Sequence, residues 1–252
     1  MTSSLAIDPS VVVWSVPEVS REQELATRPL LVLMHGRGSH EQDLVALVPL
    51  LPRQFVIAAL RAPLELAPGS YSWFPVGEPG RPSSMAADAA VQALFEWLDS
   101  VPPAVSVSLL GFSQGGAMTL HALRHAPGRF AAFVNLAGFV IGGNAPADDS
   151  LEELRPPVFW GSDPADPVIP AEAIARTAEW LPARSTLTER HYAGIGHSIS
   201  RGELDDVSIF LQSTALQSSI SAMLSPEAGP HTDSSPGAAL GAALPGDGLF
   251  SS

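Results

Sequence analysis

The sequence contains neither cysteine nor lysine, and these two absences exclude several kinds of chemistry. Without cysteine there is no disulfide, no thiolate nucleophile and no Cys-ligated zinc, so a reducing compartment is the simplest expectation. Without lysine there is no lysine catalysis, and all 13 basic residues are arginine. The 252 residues can bury the core of one α/β domain, so neither a disulfide nor a metal is needed to stabilise the fold.

Positive charge and long apolar segments are also scarce. The formal net charge is -13 at pH 7 without a basic cluster, so we expect no binding to nucleic acid and no electrostatic attachment to anionic membranes. No run approaches the ~18 apolar residues of a membrane-spanning helix, and residues 1–9 lack the basic and apolar regions of a signal peptide. We therefore expect a soluble, cytoplasmic protein.

Short apolar runs alternate with helical patterns along most of the chain. Seven runs have the composition of buried strands: Val11–Val16, Leu30–Met34, Phe55–Leu60, Val105–Leu110, Phe130–Leu136, Val158–Trp160 and Ser185–Tyr192. Apolar spacing predicts helices at Glu41–Leu51, Met85–Val101, Gln114–Ala126, Ala171–Leu181 and Glu203–Gln212. The alternation predicts an α/β fold with a mostly parallel central sheet of about seven strands and helices on both faces, with ligands at the carboxyl ends of the strands.

A change in composition near residue 212 divides the chain. Residues 1–212 carry the alternating pattern and are predicted to form one domain, whereas residues 213–252 are rich in Ser, Ala, Gly and Pro. Such a segment buries little apolar surface, so we expect a largely disordered C-terminal tail. Four apolar residues at its start have helical spacing and are compatible with an extension of the last helix: Leu216, Ile220, Met223 and Leu224.

The residues Gly111-Phe112-Ser113-Gln114-Gly115 spell G-x-S-x-G between a predicted strand and a predicted helix. A strand that passes directly into a helix places the connecting side chain on a strained, exposed turn, and the flanking glycines leave room for strand and helix to cross closely. The helix N-terminus supplies N–H donors for developing negative charge. The context makes Ser113 a candidate nucleophile.

A serine nucleophile needs a general base, and the base needs a carboxylate to orient it. For a nucleophile on such a turn the expected order along the chain is Ser, acid, His. Four of the five histidines after Ser113 lie in unsuitable places: His121 and His125 on the following helix, His191 within a strand and His231 in the tail. His197 lies in a glycine-flanked loop between the last strand and the last helix, and it is the predicted base.

The acid is expected on another loop at a strand end, and residues 160–170 form that loop. It contains two carboxylates, Asp163 and Asp166. Asp166 precedes Pro-Val-Ile-Pro at the entry to a helix and is the favoured acid, while Asp163 is the alternative and suits an Asx-turn. Two backbone N–H groups are predicted to bind the oxyanion, those of Gln114 and of Arg37 in the His35–Ser39 turn.

Together these motifs resemble the carboxylesterase and phospholipase branch of the α/β-hydrolases, which includes acyl-protein thioesterases and small bacterial esterases. The likeness covers roughly residues 10–212 and rests on four further stretches besides Gly111–Gly116: Leu33–Gly38 with Glu41–Leu44, Tyr71–Phe74, Asp163–Pro170 and Gly196–His197. The resemblance implies an α/β-hydrolase fold, a Ser113–Asp166–His197 triad, an oxyanion hole at Arg37 and Gln114, and Trp73 and Phe74 beside the acyl pocket. The chain departs from the family pattern at Trp160, at Pro75 and in its tail.

The predicted activity is hydrolysis of small or medium apolar carboxylic esters through an acyl-enzyme, with no cofactor and no metal. Trp73, Phe74 and Phe112 favour an apolar substrate group, whereas Arg37 equally suits an acidic one. A thioesterase or a lysophospholipase on the same fold is an alternative, and a non-catalytic ligand-binding protein or a scaffold built on the tail is an alternative of another class. The expected partner is a small-molecule ester, and the sequence leaves open whether the protein is a monomer or a homo-oligomer.

Overall fold

Nine strands form two sheets in the computed structural model, which describes residues 5–224 and the side-chain surroundings up to residue 217. The strands are Val13–Trp14 (β1), Leu30–Met34 (β2), Val56–Leu60 (β3), Leu64–Ala67 (β4), Ser70–Ser72 (β5), Val107–Phe112 (β6), Ala132–Leu136 (β7), Pro157–Ser162 (β8) and Thr186–His191 (β9). The central sheet has the order β1-β3-β2-β6-β7-β8-β9, and only β1 is antiparallel to its neighbour. Each strand of this sheet corresponds to one of the seven predicted runs, so the mostly parallel seven-stranded sheet is confirmed.

Helices and 3-10 turns connect these strands. The α-helices are Glu18–Leu25 (α1), Ser84–Ser100 (α2), Gln114–His125 (α3), Leu151–Leu154 (α4), Ala171–Arg184 (α5) and Arg201–Leu224 (α6), and the 3-10 helices are Pro9–Val11, Leu44–Leu50 and Pro127–Arg129. Among the described residues, no helix is long and apolar enough to cross a bilayer.

The sheet separates two layers of apolar packing. In β2 all five residues are buried, and alternate residues face opposite sides: Leu30, Val32 and Met34 join one cluster, while Leu31 and Leu33 join the other. This alternation follows from the two-residue repeat of a strand, and burial of both faces is typical of a parallel sheet covered by helices. Apolar packing on both faces therefore holds the strands whose carboxyl ends carry the predicted site residues.

One predicted element needs correction, and two elements were not predicted. The predicted helix Glu41–Leu51 is a 3-10 helix at Leu44–Leu50, which contains a proline that lacks the N–H of a regular helix. The hairpin of β4 and β5 and the helix α1 were not predicted. The last helix continues past Gln212 to Leu224, in agreement with the extension that the spacing of four apolar residues allows. The rest of the predicted tail, residues 225–252, lies outside the described residues.

Candidate active site

Ser113 lies on a strained turn between β6 and α3. Its backbone has φ 56° and ψ -115°, a conformation that non-glycine residues rarely adopt, and its N–H donates to Leu136 O at 2.8 Å. A Cβ on Gly111 would lie 2.0 Å from Gly115 O, and a Cβ on Gly115 would lie 2.0 Å from Met34 O. Only glycine at both positions therefore allows this turn, which directs Ser113 out of the sheet as the G-x-S-x-G pattern predicts.

One imidazole joins this serine to a carboxylate. His197 Nε2 lies 2.8 Å from Ser113 Oγ, and His197 Nδ1 lies 2.7 Å from Asp166 Oδ2. Because a carboxylate only accepts hydrogen bonds, Nδ1 of the neutral ring carries the hydrogen and Nε2 accepts from the serine hydroxyl. The Asp166 side chain is 2% exposed and that of His197 is 15% exposed, so the carboxylate is shielded from water while the imidazole remains accessible from the cavity.

The two aspartates of the 160–170 loop have different positions. Asp166 Oδ1 accepts the backbone N–H groups of Val168 at 2.7 Å and Ile169 at 3.1 Å, which fixes the carboxylate while its other oxygen faces His197. Asp163 makes the Asx-turn expected of it, accepting Ala165 N–H at 2.9 Å. Among the described contacts, it is Asp166 and not Asp163 that pairs with the imidazole.

Asp163 holds the loop that carries the histidine. Its Oδ2 accepts the backbone N–H of Gly196 at 2.7 Å, directly before His197. The N–H groups of Ala165 and Gly196 stabilise the ionised form and hold the pKa of the Asp163 carboxyl below its usual value. Asp163 therefore acts on the site through the backbone of the loop.

Both predicted oxyanion donors border the cavity in front of Ser113. Gln114 is the first residue of α3, so its backbone N–H has no acceptor within the helix. Arg37 lies in the turn after β2, where Gly38 N–H donates to Tyr71 O at 2.7 Å and Ser39 N–H to Gly36 O at 3.3 Å. Neither of these turn bonds uses the N–H of Arg37. The turn also approaches the nucleophile closely, because a Cβ on Gly36 would lie 3.4 Å from Ser113 Cβ.

The β4–β5 hairpin fixes the Arg37 turn. Tyr71 N–H donates to Ser39 O at 2.9 Å, in addition to the bond from Gly38, and the indole N–H of Trp73 donates to His35 O at 2.9 Å. His35 itself is buried, and burial lowers the pKa of its imidazole. Its ring lies 2.7 Å from Gly36 O through Nδ1 and accepts Ala62 N–H through Nε2 at 3.1 Å. A neutral histidine thus bonds on both sides and holds the start of the turn.

The side chain of Gln114 has a role that sequence reasoning missed. Its Oε1 accepts Trp73 N–H at 2.9 Å and the Ser72 hydroxyl at 3.1 Å, and its Nε2 donates to Phe74 O at 2.8 Å. The residue whose backbone N–H is the predicted oxyanion donor therefore also binds the 72–74 segment to the helix that follows Ser113. The Pro68–Gly69 pair marked a turn and so could have indicated the hairpin, but no local signal indicated this pairing.

A cavity of about 290 Å³ opens beside Ser113 and His197. Its walls are mainly apolar and include Phe74, Val76, Phe139 and Ile169, with Arg37 at its edge. The three aromatic residues expected at the pocket take different places. Phe74 lines the cavity, Trp73 is fully buried and does not line it, and the Phe112 ring packs against His197 with centroids 4.9 Å apart.

Comparison with known sequences connects this geometry to a family. Residues 16–215 match the model of the family described as Phospholipase/Carboxylesterase. A protein of Oryza sativa named probable carboxylesterase is 32% identical over 111 residues, which cover 43% of this chain and 41% of that protein. Acyl-protein thioesterase 1 of Kluyveromyces lactis is 30% identical over 118 residues, 45% of this chain and 51% of that protein. The matches thus span about half the length of these relatives.

Comparison with solved structures confirms the α/β-hydrolase fold. A carboxylesterase of Bacillus cereus superposes with a TM-score of 0.68 at 20% identity, over 81% of this chain and 93% of that chain. At this identity the likeness concerns the fold, whose signature is a nucleophile turn at the carboxyl end of a central parallel strand. The turn at Ser113, between β6 and α3, has that position.

Proposed function

This chain belongs to the phospholipase/carboxylesterase family, and on that premise we propose that it hydrolyses carboxylic esters through an acyl-enzyme on Ser113. The observation that carries the proposal is the line of hydrogen bonds in which the His197 ring lies 2.8 Å from Ser113 Oγ and 2.7 Å from Asp166 Oδ2. A serine hydroxyl is a weak nucleophile, and an oriented base within hydrogen-bond reach is what activates it.

In the first half of the reaction Ser113 Oγ attacks the ester carbonyl while His197 Nε2 accepts its proton. The carbonyl oxygen becomes an oxyanion, which the N–H groups of Gln114 and Arg37 stabilise; removal of one such donor costs about 3 to 4 kcal/mol of barrier in serine hydrolases. Asp166 stabilises the imidazolium. The intermediate then expels the alcohol, which takes the proton from His197 and leaves an acyl group on Ser113.

In the second half water enters from the cavity and restores the enzyme. His197 Nε2 accepts a proton from the water as its oxygen attacks the acyl carbonyl, and the second oxyanion occupies the same place. The proton returns to Ser113 Oγ as the acyl–oxygen bond breaks, which releases the carboxylic acid. His197 has to reach water for this step, and its partial exposure beside the cavity permits it.

The apolar walls suggest the substrate class. A cavity of about 290 Å³ lined by Phe74, Val76, Phe139 and Ile169 suits a small or medium apolar acyl or alcohol group. The similarity to an acyl-protein thioesterase favours a second candidate, the hydrolysis of thioesters by the same chemistry. Oxyesters and thioesters with one common acyl chain, compared by kcat/KM, distinguish the two.

The proposed function is tested by fluorophosphonate labelling and by hydrolysis of short p-nitrophenyl esters. We expect wild-type protein to be labelled and to turn over, and Ser113→Ala to lose both. The matched control is Ser213→Ala, which removes an exposed residue of α6 whose hydroxyl, among the described residues, donates to Phe210 O. Folded wild-type protein that shows neither labelling nor turnover would refute the proposal, and retention of a small ligand without turnover would favour a binding protein.

A further inference from the structure

Away from the triad, three potential metal ligands converge between α2 and α3. Asp88 Oδ1 lies 2.7 Å from His121 Nε2 and 3.1 Å from His125 Nε2, and the three ligand atoms lie within 4.8 Å of one another. Zinc bonds of about 2.0–2.1 Å in tetrahedral geometry place ligand atoms roughly 3.3 Å apart. The two contacts of Asp88 therefore need to lengthen by about 0.6 Å and about 0.2 Å for the three groups to bind one ion.

The tautomer of His125 makes a direct contact between its imidazole and the Asp88 carboxylate unfavourable. His125 Nδ1 lies 2.9 Å from the backbone carbonyl of His121, and because a carbonyl only accepts, Nδ1 must carry the hydrogen. In the neutral ring Nε2 then has only a lone pair, and it lies 3.1 Å from a carboxylate oxygen of Asp88. A cation bound by both groups relieves the repulsion between these two acceptors.

Several features favour the metal ion. A backbone carbonyl that accepts from Nδ1 fixes Nε2 as the coordinating atom, which is the usual support for a metal-binding histidine. His121 presents Nε2 to the same carboxylate oxygen at 2.7 Å, although its buried Nδ1, which carries the hydrogen in a metal-bound ring, has no hydrogen-bond partner among the described residues. His121 and His125 stand one helical turn apart on α3, as i and i+4 ligands do.

We propose that Asp88, His121 and His125 form a binding site for a divalent transition metal of the zinc class, with water as the fourth ligand. The site links α2 to α3, two helices that pack against each other. It is structural, because eight residues of helix place His121 about 12 Å along α3 from Ser113, beyond contact with a substrate there. Asp88 is half exposed and gives the ion a path from solvent, and imidazole and carboxylate are common zinc ligands.

The test is titration of the chelator-treated full chain, without a polyhistidine tag, with Zn²⁺ by calorimetry and with Co²⁺ by visible absorption. We expect one saturable site per chain, a tetrahedral Co²⁺ spectrum and a rise in melting temperature with Zn²⁺. Removal of one ligand should weaken binding at least about tenfold. The two variants are Asp88→Asn, which keeps the shape of an exposed side chain, and His125→Ala.

Two control variants keep the three ligands and remove other histidines. His191→Ala removes an exposed histidine whose ring lies beside Glu189, at 3.2 Å, and edge-on to Trp160, and His231→Ala removes the histidine of the tail. Both should bind Zn²⁺ as the wild type does. Absence of saturable binding would overturn the proposal. Binding that survives in Asp88→Asn and His125→Ala but is lost in a control variant would also overturn it.

Discussion

Asp163 accepts the backbone N–H of Gly196 at 2.7 Å, so a carboxylate on one strand-end loop holds the loop that carries His197. Three residues further on, Asp166 contacts the imidazole itself at 2.7 Å. Two aspartates of a single turn thus fix the same histidine in different ways, one through the backbone and one through the ring. The difference between backbone support and ring support is open to measurement.

Asp166→Asn should reduce kcat far more than Asp163→Asn. An amide at residue 166 can donate to the ring and favour the tautomer with the hydrogen on Nε2, which cannot accept the serine proton; in a serine protease triad this change costs about 10⁴-fold in kcat. Asp163→Asn keeps an acceptor for Gly196 and leaves Asp166 in place, so we expect a loss of about tenfold or less. Steady-state kinetics on a p-nitrophenyl ester provides the measurement, and equal losses in the two variants would contradict the assignment of Asp166.

Gln114→Ala should lower the free energy of unfolding, although it keeps the backbone N–H that is predicted to bind the oxyanion. The substitution leaves the buried Trp73 N–H without its acceptor and removes one of the two donors to Phe74 O, which keeps its bond from the Ser72 hydroxyl. An orphaned buried polar group costs about 1–3 kcal/mol, so we expect a loss of about that size. Urea denaturation measures it.

Gln92→Ala is the matched control for that substitution. Gln92 is exposed on α2 and its amide contacts only Glu96, at 3.1 Å, so its removal should change the free energy of unfolding by less than about 0.5 kcal/mol. If Gln114→Ala lowers the free energy of unfolding as little as Gln92→Ala does, the hydrogen bonds of Gln114 to the 72–74 segment do not stabilise the protein.

Residues close in sequence made much of this structure predictable. Leu30–Met34 was predicted with the observed bounds, because a short run of buried β-branched and aliphatic residues suits a central parallel strand. The position of His197 followed from elimination, since the other histidines after Ser113 lie on a helix, in a strand or in the tail. Both inferences needed only local pattern and the order of residues along the chain.

Contacts between distant residues were not predictable in this way. The spacing of His121 and His125 is visible in the sequence, but Asp88 joins them only because α2 packs against α3. Likewise, nothing near Trp73 indicates that its indole N–H donates to His35 O and that the residue is fully buried. Such pairings depend on tertiary packing, and the sequence alone gave Trp73 only an apolar pocket role.

Arg37→Gln should reduce selectivity for acidic esters. Arg37 lines the cavity with Ser113, and among the described residues no carboxylate pairs with it. A charge-assisted hydrogen bond contributes about 1.5–3 kcal/mol, so the kcat/KM for an ester that bears a carboxylate should fall about 10- to 100-fold relative to that for its neutral analogue. Gln at this position keeps the backbone N–H, so turnover of the neutral ester should be little changed.

Arg53→Gln is the matched control, because Arg53 is exposed and does not line that cavity. Its ratio of kcat/KM values for acidic and neutral esters should equal that of the wild type. If Arg37→Gln also has the wild-type ratio, the guanidinium has no role in substrate choice. The apolar walls of the cavity would then determine which substrate is preferred.

Glu203→Gln should stabilise the protein above neutral pH and not below pH 4.5. Glu203 lies in the first turn of α6 and forms a reciprocal pair with Ser200: its N–H donates to Ser200 Oγ at 3.1 Å, and its carboxylate accepts Ser200 N–H at 3.4 Å. The residue is buried, and its carboxylate lies close to Gly161. Burial raises the pKa of Glu203 from 4.5 to about 7. The folded protein therefore binds this proton more tightly than the unfolded chain does, and the resulting stability is present below pH 4.5 and is lost as pH rises to about 7.

A neutral amide at residue 203 avoids that loss. At about 1.4 kcal/mol per pKa unit, the free energy of unfolding of Glu203→Gln should exceed that of the wild type by up to about 3 kcal/mol near pH 8, and the excess should vanish near pH 4. The control is Glu172→Gln on α5, where an exposed glutamate pairs with Arg81 and has a lowered pKa, so no gain is expected at high pH. Urea denaturation of the three proteins across this range gives the difference curves. A Glu203→Gln curve that is flat with pH would mean that the buried carboxyl is ionised at no cost.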